Sequence, residues 1–74
     1  MNLAEIRALK TKEIRAKVDD LKEELFNLRF QLVAGQLQDV SRPKRVKRDL
    51  ARLLTILRER ELAAELVKKE EHHG

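Results

Sequence analysis

Residues 35–52 read GQLQDVSRPKRVKRDLAR, and this stretch decides the fold. Gly35 takes up left-handed backbone geometry at little cost, which suits the position just past the end of a helix. Gln36, Gln38 and Asp39 continue the break. Pro43 suits the first turn of a new helix and disfavours helical geometry at Arg42. Ser41 or Asp39 is placed to cap that helix. A turn is therefore predicted over 35–42, with a helix on either side.

On the N-terminal side Ile14, Val18, Leu21, Leu25, Leu28 and Leu32 follow a 4-3-4-3-4 spacing, the mark of a coiled-coil seam. They predict a helix over about 11–34, capped by Thr11 and roughly 36 Å long. On the C-terminal side Val46, Leu50, Leu53 and Leu57 repeat the 4-3-4 pattern in a helix over about 43–66. Two such seams joined by a short connection mesh when the helices run antiparallel. Asn2 and Glu5 have capping-box spacing, and Leu3, Ile6 and Leu9 give a brief first helix over about 2–9 an apolar edge. The expected fold is all-α: one domain over 1–66, a long antiparallel two-helix hairpin with a short N-terminal helix, followed by a flexible tail over 67–74.

Composition agrees with this class and narrows the function. Charged residues make up 41% of the 74-residue chain and aromatics 3%, the balance of exposed helices and not of sheets. So short a chain builds only a small core, which makes a buried catalytic cleft improbable and leaves the hairpin leaning on a partner. With no cysteine, disulfides and thiolate metal sites are excluded, and a cytoplasmic location is expected. No signal peptide is apparent, and no run approaches the roughly 18 apolar residues of a membrane span. Two glycines cannot build a phosphate-cradling loop, and the single serine, Ser41, has no histidine near it in sequence. No enzyme, cofactor, small-molecule substrate or membrane partner is expected.

Charge is unevenly placed. Residues 1–41 balance seven basic against seven acidic side chains, whereas residues 42–60 carry eight basic and two acidic ones, a local +6. Such concentration raises a potential able to hold a polyanion. At about 100° per residue, Arg45, Arg48 and Arg52 share one side of the last helix, opposite Val46, Leu50, Leu53 and Leu57. Lys44, Lys47 and Arg58 flank that stripe, and Arg42 stands at the helix entrance. Guanidinium forks suit phosphate oxygens, and lysines add field without demanding geometry. A solvated face is the commoner meaning of a charge run, but solvated faces usually intersperse both signs, and only Asp49 and Glu59 interrupt this one.

Phe26, Phe30 and Val33 form a second apolar stripe on the middle helix, rotated roughly 130° from the leucine seam. Either they widen the core near the closed end, under the first helix, or they form a contact patch for another protein. His72 and His73 lie in a polar tail and are too few for a metal site. Asp19, Asp20, Glu23 and Glu24 diverge around a helix and read as a solvated face.

The segments Lys22–Gln31 (KEELFNLRFQ), Gly35-Gln36-Leu37, Arg45–Arg52 (RVKRDLAR) and Thr55-Ile56-Leu57 together resemble the bacterial large-subunit ribosomal protein L-twenty-nine family over about residues 3–61. The resemblance implies a hairpin bound to large-subunit ribosomal RNA near the exit of the nascent-peptide tunnel. It also implies contact with ribosomal protein L-twenty-three, at a surface where chaperones and targeting factors meet emerging chains. The family's basic motif maps onto Arg45, Lys47, Arg48 and Arg52, with Gln36 in the matching turn. Lys47 replaces the arginine common there, which keeps phosphate attraction and loses the bidentate fork. Pro43 stands where the family often has an apolar residue. The RNA-binding set expected from residues and resemblance together is Arg45, Arg48, Arg52, Lys47, Lys44, Arg42, Gln36 and Arg29. The rival reading is a coiled-coil interaction module that grips another helix and binds no nucleic acid.

Overall fold

The hairpin owes its shape to the two apolar seams and to the turn between them. A computed structural model describes residues 1–71 and contains three helices, α1 (Leu3–Arg7), α2 (Thr11–Val33) and α3 (Arg42–Glu71). α2 and α3 pack antiparallel into a slim body of about 60 × 21 × 16 Å, with α1 laid against α3.

The turn closes as the glycine suggests. Gly35 has φ +70°, its N–H donates to the Leu32 carbonyl, and the Gln36 N–H donates to the Gln31 carbonyl at 2.8 Å. This Schellman arrangement satisfies carbonyls that the end of α2 would otherwise leave open. Asp39 then prepares α3: its carboxylate accepts from the Ser41 N–H at 3.0 Å and the Ser41 hydroxyl at 2.6 Å, while the Ser41 carbonyl accepts from the Arg45 N–H. α1 begins with the expected capping box, in which the Glu5 N–H donates to Asn2 Oδ1 at 2.8 Å. Thr11 does not cap α2. Lys10 holds the cap position without a side-chain bond, and the Thr11 hydroxyl instead accepts from Arg60 on α3.

The core has two connected parts. Toward the open end Ile6, Ile14, Val18, Leu53 and Ile56 cluster, and toward the closed end Leu25, Leu28 and Val46 do. Leu21 and Leu50 are half-buried and pack against both. Ile56 was not part of the expected seam, yet it is 1% exposed because Ile6, itself fully buried, brings α1 over that flank of α3. Leu32 keeps the seam spacing but stays half-exposed, since α2 ends one residue later and α3 begins only at Arg42.

The last helix runs further than the sequence expectation. α3 continues past Leu66 to Glu71, carried by helix formers such as Leu66, Lys68 and Lys69. Of the tail expected to be flexible over 67–74, His72 to Gly74 lie outside the described residues.

Candidate nucleic-acid interface

α3 presents its cations in two settings. Arg45 and Arg52 are engaged within the chain: Arg45 Nη2 lies 2.7 Å from Asp39 Oδ2, and Arg52 Nη1 donates to the Met1 carbonyl at 3.1 Å and to Asp49 Oδ1 at 3.4 Å. Arg48 shares a shallow hollow with these two, Asp49 and Met1, but makes no ion pair among the described residues, and neither do Lys44 and Lys47. All three are exposed. The stripe is thus divided. α1 runs beside the edge that carries Arg52, whereas the outer side with Lys44, Lys47 and Arg48 is open.

The remaining expected residues are dispersed. Arg42 forms an ion pair with Glu24 across the closed end of the hairpin. Gln36 lines a groove with Asp20, Glu23, Glu24 and Asp39, carboxylates that disfavour phosphate there. Arg29 is exposed on α2, away from the α3 stripe. Arg58, on the flank of the stripe, approaches Glu61 at 3.3 Å.

Asp39 is the group whose ionisation this site visibly perturbs. The hydroxyl and N–H of Ser41, reinforced by the Arg45 guanidinium, hold its carboxyl below the usual range. It therefore stays ionised and keeps Arg45 matched.

Phe26, Phe30 and Val33 are not core. They are 71%, 67% and 90% exposed, because α1 docks on the other flank, near the opposite end, and α3 does not reach round to them. The sequence reading also passed over Arg60. Its Nη1 donates to Thr11 Oγ1 at 3.0 Å and its Nη2 to the Arg7 carbonyl at 3.2 Å, so it ties both earlier helices to α3. No local motif marks that role, since both partners lie about fifty residues away.

A slim helical hairpin that holds part of its cationic face with its own carboxylates and leaves the rest outward is the build of a small structural protein. The sequence model of the family described as Ribosomal L29 protein matches residues 4–60. The large ribosomal subunit protein uL29 of Geobacillus stearothermophilus is 59% identical over 64 residues, 86% of this chain and 97% of that protein. The corresponding proteins of Geobacillus sp. (strain WCH70) and Roseiflexus castenholzii are 56% and 55% identical, covering 92% and 88% of this chain and 100% and 98% of their own lengths. The chain belongs to the Ribosomal L29 protein family and is a structural ribosomal protein, not an enzyme.

Proposed function

We propose that this protein is built into the large ribosomal subunit of the bacterial cytoplasm and docks on its RNA through the outer face of α3. The observation that carries the reading is the exposed group Lys44, Lys47 and Arg48, which has no carboxylate partner among the described residues. Arg45 and Arg52 border that face, and each can exchange part of its internal pairing for a phosphate. Such contacts follow the shape and charge of the RNA backbone more than its base sequence. Arg42 and Gln36 sit in an acidic setting and contribute least.

Resemblance to the family adds the location: beside the exit of the nascent-peptide tunnel, next to ribosomal protein L-twenty-three, where chaperones and targeting factors gather. Phe26, Phe30 and Val33 supply an apolar surface for a protein neighbour there. The rival coiled-coil reading loses ground because α2 and α3 occupy each other's seams within one chain. Co-sedimentation with large subunits through a high-salt wash tests the proposal. The parent should remain bound, and the triple variant K44Q/K47Q/R48Q should wash off. Equal retention of the two would place the contact elsewhere.

A further inference from the structure

In heptad terms the α2 seam alternates between d and a positions, which puts Arg15, Lys22 and Arg29 at three successive e positions. The same lettering puts Lys47, Leu54 and Glu61 at the e positions of α3. In an antiparallel pair one flank brings e toward e and the other g toward g. On the g flank opposite charges meet, as Glu24 and Arg42 do, and α1 covers Ile56 there. On the e flank, away from α1, Arg15, Lys22, Arg29 and Lys47 are all exposed, and none forms an ion pair among the described residues. Acids stand beside only part of this row: Arg15 shares a hollow with Glu61, which Arg58 also approaches, and Asp19 lies one helical turn from Arg15, whereas the e positions facing Lys22 and Arg29 hold Leu54 and Lys47.

We infer that this e flank is a second RNA-binding row, in which α2 contributes Arg15, Lys22 and Arg29 and joins the α3 face through Lys47. Arg29 faces Lys47 across this flank, and like charges placed there oppose closure of the hairpin. A polyanion lying along the flank reverses that sign. The three α2 cations recur about every 10 Å along the helix, a regular spacing that suits a uniformly charged backbone better than an irregular acidic patch on a protein. The inference rests on the RNA-binding reading above and extends it to the other helix.

The test is the salt dependence of binding by the full chain to protein-free large-subunit ribosomal RNA. For R15Q/K22Q/R29Q the slope of log affinity against log salt should be shallower than the parent's by about 2 to 3, given roughly 0.7 to 0.9 per phosphate contact. The charge-conserving R15K/R29K should keep the parent slope, and R29Q alone, which relieves the repulsion with Lys47, should melt at or above the parent temperature in low salt. An unchanged slope in R15Q/K22Q/R29Q, while K44Q/R48Q lowers it, removes the α2 row and leaves the α3 reading standing. Failure of the parent to bind RNA overturns both. A glutamine variant with the parent slope that nevertheless fails to join large subunits would make the flank a protein contact and refute the inference.

Discussion

Arg60 Nη1 donates to the Thr11 hydroxyl at 3.0 Å, and Nη2 of the same guanidinium reaches the Arg7 carbonyl at 3.2 Å. One side chain of α3 thereby fastens the α1–α2 junction. Arg60→Ala should cost about 1 to 2 kcal/mol, the net worth of hydrogen bonds from a charged, half-buried donor. In a chain of this size that lowers the melting temperature by roughly 5 to 15 °C. Hydrogen exchange should show α1 amides opening before those of α2. Arg60→Lys should restore little, since an ammonium lacks the fork that spans both acceptors. An Arg60→Ala variant as stable as the parent would show that Ile6 and the contacts of Met1 and Arg7 with α3 hold α1 without it.

Gly35 has φ +70°, and a Cβ built there meets nothing within 4 Å. Gly35→Ala therefore carries a conformational cost without a steric one, about 1 to 2 kcal/mol for a left-handed alanine. Gly35→Asn should cost less, because asparagine visits that region more readily. Thermal melts of the two variants check the order, and equal losses would mean that the turn has moved out of the left-handed region.

Most of the hairpin was legible in the sequence because its signals are local. The 4-3-4 spacing located Val18, Leu25, Leu28, Val46 and Leu53 in the core, and Gly35 marked the reversal. The pattern failed where burial depends on a third element. Ile56 lies outside the strict seam and becomes core only because Ile6 covers it, and Leu32 fits the seam yet has nothing opposite it. The candidate site was legible as charge but not as partnership. Helical geometry grouped Arg45, Arg48 and Arg52, whereas Asp39 and the Met1 carbonyl, reached only through the turn and through α1, set two of them apart from the third. The e-position repeat of Arg15, Lys22 and Arg29 was visible too, but its meaning depends on the flank α1 leaves open.

That core difference is measurable. Leu53 is fully buried and Leu32 is 53% exposed, although both keep the seam spacing. Leu53→Ala should cost about 2 to 5 kcal/mol through lost burial and a residual cavity. For so small a core this amounts to unfolding, visible as loss of helical circular dichroism. Leu32→Ala should stay within about 0.5 kcal/mol. Comparable losses at the two sites would mean that the seam extends to the end of α2 in solution.

Asp39 links the turn to pH. Its pKa is lowered from 3.8 in the folded chain, first by the Ser41 hydroxyl and N–H and then by Arg45. A depressed carboxyl contributes stability that is fully present above its unfolded pKa and is lost as pH falls through the folded value. The loss therefore begins near pH 4 and deepens below it. Asp39→Asn removes this contribution, so the melting-temperature gap between parent and variant should be constant above about pH 5 and should close under acid. A gap that did not change with pH would show that Asp39 acts through its shape alone.

Arg48 and Arg52 lie four residues apart on one helix, yet the structure gives them different work. Arg52 bonds to the Met1 carbonyl and to Asp49, while Arg48 pairs with no carboxylate among the described residues. Arg48→Gln should leave the melting temperature near the parent's, as exposed substitutions do. It should also make ribosomal RNA binding less salt-dependent by about one phosphate contact. Arg52→Gln should lower the melting temperature by several degrees, because it frees the N-terminal segment from α3 as well as removing a cation. Measured side by side, the two variants separate a phosphate contact from an internal tie. If Arg52→Gln weakened RNA binding with no thermal effect while Arg48→Gln did the reverse, the division of the stripe would have to be exchanged: Arg52 would be the outward cation and Arg48 the structural one.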